Sequence, residues 1–182
     1  MKRIILICLI FIPLLLAQKA ETSASAADAS IAPVSVQLPA ENDEQAPELD
    51  IEVLLRNRIT ELAQKYLGVP YKAAGVGPEG FDCSGFVYFI YREAAGMPVS
   101  RSTVGIWNSG KKITLAQVRP GDVLVFTTVR AGASHAGIVL ENSSKGVTFI
   151  HAASQGSKTG IIISNMNESY YKTRFMGARN YF

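Results

Sequence analysis

Gly80-Phe81-Asp82-Cys83-Ser84-Gly85-Phe86-Val87 is the stretch on which the fold turns. Phe89, Ile90 and Ala94 follow, so apolar residues recur at helical intervals from Phe86 onward. Asp is a preferred N-cap residue, because its carboxylate accepts hydrogen bonds from the free N–H groups of a first turn. The reading is a helix that begins near Cys83, capped by Asp82, and stops near Gly96-Met97-Pro98. Gly85 lets another segment pack closely against that first turn. A thiol at a helix N-terminus faces free N–H groups and partial positive charge, and both favour the thiolate.

Upstream, Ile51, Leu54, Leu55, Ile59, Leu62 and Tyr66 form one apolar helical face, and Gly68 and Pro70 end it. Residues 71–80 hold Gly75, Gly77, Pro78 and Gly80 and read as a loop. Downstream the pattern turns to strands, at 123–128, 135–140, 147–152, 161–164 and 174–178, the first entered through the Arg119-Pro120-Gly121-Asp122 turn. Helices first and strands later predict an α+β domain, with N-terminal helices packed on a central antiparallel sheet of about five to six strands.

Composition narrows the function. The chain has 182 residues, 48% hydrophobic and 18% charged, which excludes a disordered protein and suits one domain with a tail. Lys2 and Arg3 precede an apolar run over 4–17, shorter than the roughly 20 residues a bilayer needs. Ala24-Ser25-Ala26 supplies small residues for cleavage, so 1–26 reads as a signal peptide. A lipid anchor at Cys8 is disfavoured by bulky Ile7 and by its place inside the apolar run. Residues 27–50, rich in Ala, Ser, Pro and acids, read as a flexible linker, and 51–182 as the domain. Residues 1–50 carry a net −4, leaving +7 on the domain. No basic run exceeds Lys111-Lys112, so nucleic acid is not an expected partner. No HExxH or CxxC spacing is present, so neither a metal nor another cofactor is expected.

Signal removal takes Cys8 away and leaves Cys83 as the one cysteine, exported to the periplasm or cell exterior, where thiols are usually oxidised. Cysteine catalysis needs a thiolate, a base and a group that orients the base. His135 and His151 are the two histidines, one at the start of a predicted strand and one at the end of another. If those strands are neighbours, the imidazoles lie side by side. The bland alternative is a buried inert thiol and two satisfied core histidines.

The sequence resembles the NlpC family of papain-like cell-wall cysteine peptidases from about residue 51 to 182. Six strings carry the resemblance in order: Leu67-Gly68-Val69-Pro70-Tyr71, Gly80 to Val87, Arg119-Pro120-Gly121-Asp122, His135-Ala136-Gly137-Ile138-Val139, Phe149-Ile150-His151-Ala152-Ala153-Ser154 and Phe175-Met176-Gly177-Ala178-Arg179. The resemblance implies a papain-like fold, with Cys83 as nucleophile, His135 as base and then acid, and His151 as the residue that fixes the His135 tautomer. It implies that the Cys83 N–H helps form an oxyanion hole, and that Tyr71 puts its hydroxyl near the thiol. Asp82 and Ser84 would face the substrate, with Arg101 and Ser102 on the loop bordering the groove. Asp82 also has a reading as a cap, and Arg101 as the partner of a carboxylate. Ala73, Ala74 and Gly75 depart from the usual aromatic and glycines, and Gly105 and Ile106 from the usual glutamine, which bears on subsite preference.

The implied function is an exported peptidoglycan endopeptidase acting on stem peptides, with the γ-D-glutamyl–diaminopimelate bond favoured. The alternative bond is the diaminopimelate–D-Ala cross-link. Rival classes are a non-catalytic wall-binding protein and a thiol acyltransferase. The acyltransferase is disfavoured because histidine usually precedes cysteine in such relatives. The expected state is a monomer with no stable membrane insertion once the signal is cleaved.

Overall fold

The computed structural model describes residues 50–156 and 159–182. The predicted signal peptide, Cys8 and the linker up to residue 49 lie outside the described residues. Helix α1 spans Ile51–Lys65, and the Asp50 carboxylate accepts from the Glu52 and Val53 N–H groups at 3.0 and 3.3 Å. A two-residue pair, β1 (Val76–Gly77) and β2 (Gly80–Phe81), closes the loop before the second helix. Helix α2 spans Cys83–Ala95, capped by Asp82 and ended by Gly96 in the left-handed conformation, φ 64°. A short helix α3, Thr103–Asn108, leads to strand β3, Lys111–Ile113.

Five longer strands complete the sheet: β4 (Val123–Phe126), β5 (His135–Ser143), β6 (Gly146–Ala153), β7 (Gly160–Asn165) and β8 (Phe175–Asn180). Helix α4, Ser169–Lys172, sits between β7 and β8. The order is β3-β8-β4-β5-β6-β7 and every pairing is antiparallel. This is the predicted α+β architecture with a sheet of six strands. Among the described residues no helix is long and apolar enough to cross a membrane.

Successive strand residues point to opposite faces, and the chain uses both. Val123, Val125, Ala136, Ile138 and Ile150 bury against Ile59, Phe86 and Ile90 of the two long helices. Leu124, Phe126, Val139 and Phe149 bury on the other face with Tyr171 of α4. His135 and His151 belong to this second face, one residue out of phase with Ala136 and Ile150.

A buried ion pair joins α1 to the turn before β4. Arg56 Nη1 donates to Asp122 Oδ1 at 2.9 Å and to the Pro120 carbonyl at 2.7 Å. Asn180 Nδ2 and the Arg119 N–H also donate to Asp122, at 3.0 and 2.8 Å. Phe182 stacks on the Arg56 guanidinium, 4.1 Å from the ring centroid. Helix, turn and last strand are thereby held at one point.

Candidate active site

Cys83 is the first residue of α2, and the Asp82 carboxylate accepts the Gly85 N–H at 2.7 Å. The close approach expected at Gly85 is present: a Cβ there would lie 2.1 Å from the Gly75 carbonyl and 3.1 Å from the Arg101 guanidinium. Cys83 Sγ lies 3.8 Å from the Ser134 carbonyl oxygen. The backbone N–H groups of Ala136, Ser84 and Cys83 itself favour the charged sulfur. Burial pushes the Cys83 thiol up and the Asp82 charge adds to this, while those three N–H groups pull it down.

The two histidines meet as the strand order requires. His135 Nε2 and His151 Nδ1 are 2.9 Å apart, with the rings nearly perpendicular at 87°. Gly137 makes room, since a Cβ there would lie 2.7 Å from Phe149 Cδ2 and 3.0 Å from His151 Cβ. His151 Nε2 is 3.1 Å from Ser164 Oγ and 3.2 Å from the Tyr171 hydroxyl. With His135 Nε2 engaged, Nδ1 is the nitrogen left to take a proton. That state puts the His135 proton on Nε2, donating to His151, and the His151 proton on Nε2, donating to a hydroxyl. Sequence reading missed Ser164 and Tyr171. Ser164 carried a signal, a hydroxyl in the apolar run Ile161-Ile162-Ile163, whereas Tyr171 carried none.

The other predicted residues fall into two groups. Arg101 grips Asp82 with both terminal nitrogens, Nη1 to Oδ1 at 2.9 Å and Nη2 to Oδ2 at 2.7 Å, and Nη1 also donates to Ser84 Oγ at 3.0 Å. Asp82 is thus both cap and ion-pair partner. Tyr71 is bridged to Phe81, and burial, then the charges of Cys83 and Asp82, push its phenol up while Arg101 opposes them. Tyr71, Asp82, Cys83, Ser84 and Arg101 form one cluster. Ser102 instead caps α3, accepting the Gly105 N–H at 3.1 Å.

Burial holds the His135 imidazole down at about 4, against an ordinary value of 6.5. His151 is held down by burial and by His135. Between pH 6.5 and 4 the unfolded chain binds a proton that folded His135 refuses. Stability from this source is complete above pH 6.5, falls with pH and is gone near pH 4. Urea unfolding at pH 5 is expected to give about 2 kcal/mol less stability than at pH 7 from His135 alone. His135→Asn should flatten that difference, and an unchanged slope would assign it to other groups.

The NlpC/P60 family pattern matches residues 68–180, which takes in the thiol, both histidines and the cluster around Asp82. The chain belongs to the NlpC/P60 family. It is 37% identical over 142 residues to Escherichia coli (strain K12) "Murein DD-endopeptidase MepS/Murein LD-carboxypeptidase", covering 74% of this chain and 70% of that one. It is 38% identical over 125 residues to "Probable peptidoglycan endopeptidase LytE" of Bacillus subtilis (strain 168), covering 69% of this chain but 34% of the relative, about a third of its length. The crystal structure of the NlpC/p60 domain of peptidoglycan hydrolase SagA superposes with a TM-score of 0.57 at 27% identity, over 69% of this chain and 98% of that one.

Proposed function

We propose that this NlpC/P60 chain is an exported cysteine peptidase that hydrolyses amide bonds in peptidoglycan stem peptides. The observation that carries the reading is the thiol at a helix N-terminus, 3.8 Å from the carbonyl of Ser134, whose chain neighbour His135 is tied to a second imidazole. Cys83 gives its proton to His135 Nδ1 and the sulfur attacks the scissile carbonyl. N–H groups at the α2 N-terminus face the developing oxyanion. His135 then protonates the leaving amine, an acyl-enzyme remains on Cys83, and water activated by His135 releases the acid. His151 holds His135 in the competent tautomer.

The bond we favour is γ-D-glutamyl–diaminopimelate. The polar cluster of Tyr71, Asp82, Ser84 and Arg101 beside the thiol suits the short, charged acyl part of such a substrate. Cleavage of diaminopimelate–D-Ala cross-links is the second reading, favoured by the similarity to the Escherichia coli murein DD-endopeptidase. The presence of Cys83, His135 and His151 together speaks against a purely wall-binding role. Digestion of diaminopimelate-type peptidoglycan, with products read by mass spectrometry, tests the proposal. New L-Ala-D-Glu ends are expected. Conversion of cross-linked dimers to intact monomers would select the second reading, and an unchanged muropeptide profile would overturn both.

A further inference from the structure

His151 Nε2 meets two hydroxyls at once, Ser164 Oγ at 3.1 Å and the Tyr171 hydroxyl at 3.2 Å. They come from separate elements, β7 and α4, and both residues are buried, with His151 itself only 1% exposed. Each is held in place. Ser164 is in register with Phe149 across β7 and β6. The Tyr171 ring stands edge-on to Phe149, Phe126 and His151, at centroid distances of 4.9, 5.5 and 5.3 Å. Two oxygens around one ring nitrogen discriminate between its protonation states. A bare Nε2 has a single lone pair and accepts one hydroxyl proton, which leaves the second oxygen facing it without a bond. A protonated Nε2 donates, and one N–H shared between two acceptors is a common three-centre bond. Ser164 and Tyr171 also line a cavity of about 500 Å³, so their own O–H protons have room to turn away from the ring.

We infer that Ser164 and Tyr171 are positioning residues that keep the His151 proton on Nε2, so that His151 Nδ1 presents a lone pair to His135. His135 then keeps its own proton on Nε2, 2.9 Å from that lone pair, and its Nδ1 is left as the base. Control of the thiol thus starts at the hydroxyl pair and passes through both imidazoles. Either oxygen alone can accept the Nε2 proton, so each hydroxyl covers for the loss of the other. The effect on turnover rests on the hydrolase reading above, whereas the proton position does not.

The test combines Tyr171→Phe with Ser164→Val or with Ser164→Thr. Val and Thr have the same shape and differ in the hydroxyl, and matched melting curves confirm the fold. Tyr171→Phe alone should lower stem-peptide kcat by about threefold, since one acceptor remains. With Ser164→Val added, kcat should fall by about 30-fold or more at little change in KM, because the buried Nε2 proton has lost both acceptors. With Ser164→Thr added instead, kcat should return to the level of Tyr171→Phe alone. Nitrogen NMR of the imidazoles reads the proton directly. In wild type the His151 proton should sit on Nε2, and in the variant with Val and Phe part of it should move to Nδ1. A wild-type His151 protonated on Nδ1, or a folded variant with Val and Phe that keeps wild-type kcat or an unmoved proton, would overturn the inference and leave the hydrolase reading standing. No stem-peptide turnover by wild type would overturn the hydrolase reading, and the NMR comparison would then decide the proton position alone.

Discussion

Cys83→Ala is expected to lower stem-peptide hydrolysis by roughly 10⁴-fold or more, because loss of a nucleophile removes the covalent route itself and the remaining groups cannot act alone. The fold should not suffer. The thiol makes one long hydrogen bond, 3.8 Å to the Ser134 carbonyl, so its removal leaves no buried group stranded. The cap at Asp82 and its pairing with Arg101 involve no Cys83 atom. Release of muropeptides and thermal melting, measured on the same preparation, separate the two effects. Above about 1% of wild-type activity in a well-folded Cys83→Ala protein would mean that another group attacks the bond. Among the described residues Cys83 is the single cysteine, so one equivalent of iodoacetamide should reproduce the loss.

The second large effect is on stability. Asp122→Ala is expected to cost about 3–5 kcal/mol, the range for breaking a buried ion pair by removing one partner. Asp122 is fully buried and accepts from Arg56, from Asn180 and from the Arg119 N–H. Its removal takes the buried carboxylate from a guanidinium that is only 4% exposed, leaving it the Pro120 carbonyl and the Glu52 carboxylate at the edge of the site. The loss should lower the melting temperature by roughly 10–20 °C for a domain of this size. Asp122→Asn keeps one acceptor and much of the shape, so it should cost less. A change under about 1 kcal/mol in Asp122→Ala would show that solvent enters and replaces the carboxylate. Activity per folded molecule should be unaffected, since the Asp122 carboxylate binds Arg56, the Arg119 N–H and Asn180 and none of the residues of the candidate site.

Local chemistry was legible in the chain where one residue type has one strong use. Asp82 before an apolar helical run announced the start of α2, and with it the position of the thiol. The apolar runs of β4 to β8 announced strands. Helix α3 was hidden because it is six residues long and contains Gly105, and its cap, Ser102, read equally well as a groove residue. Strand β3 was hidden because Lys111 and Lys112 are exposed on a sheet edge and carry no apolar signal. The histidine pair was legible only as a condition, that two strands be neighbours. Register decides the rest. Ser164 pairs with Phe149 across β7 and β6, and so meets His151 diagonally. Tyr171 reaches the same nitrogen from α4, a single turn with no pattern to announce it. Such contacts depend on how distant segments are brought together, and no local window contains that information.

The position of β8 bears on how the molecule comes into being. This strand comes last in sequence among the described strands, yet it lies between β3 and β4. A nascent chain halted before residue 175 therefore leaves β3 without its partner and β4 with one side open. Unpaired edges of that kind template aggregation, and a truncated product would be handed to proteases. Closure of the sheet waits until residues 175–180 have been made, and the many long-range pairings make it a slow step. Pulse-labelled chains should stay protease-sensitive until residues 175–180 have emerged, and then become resistant together.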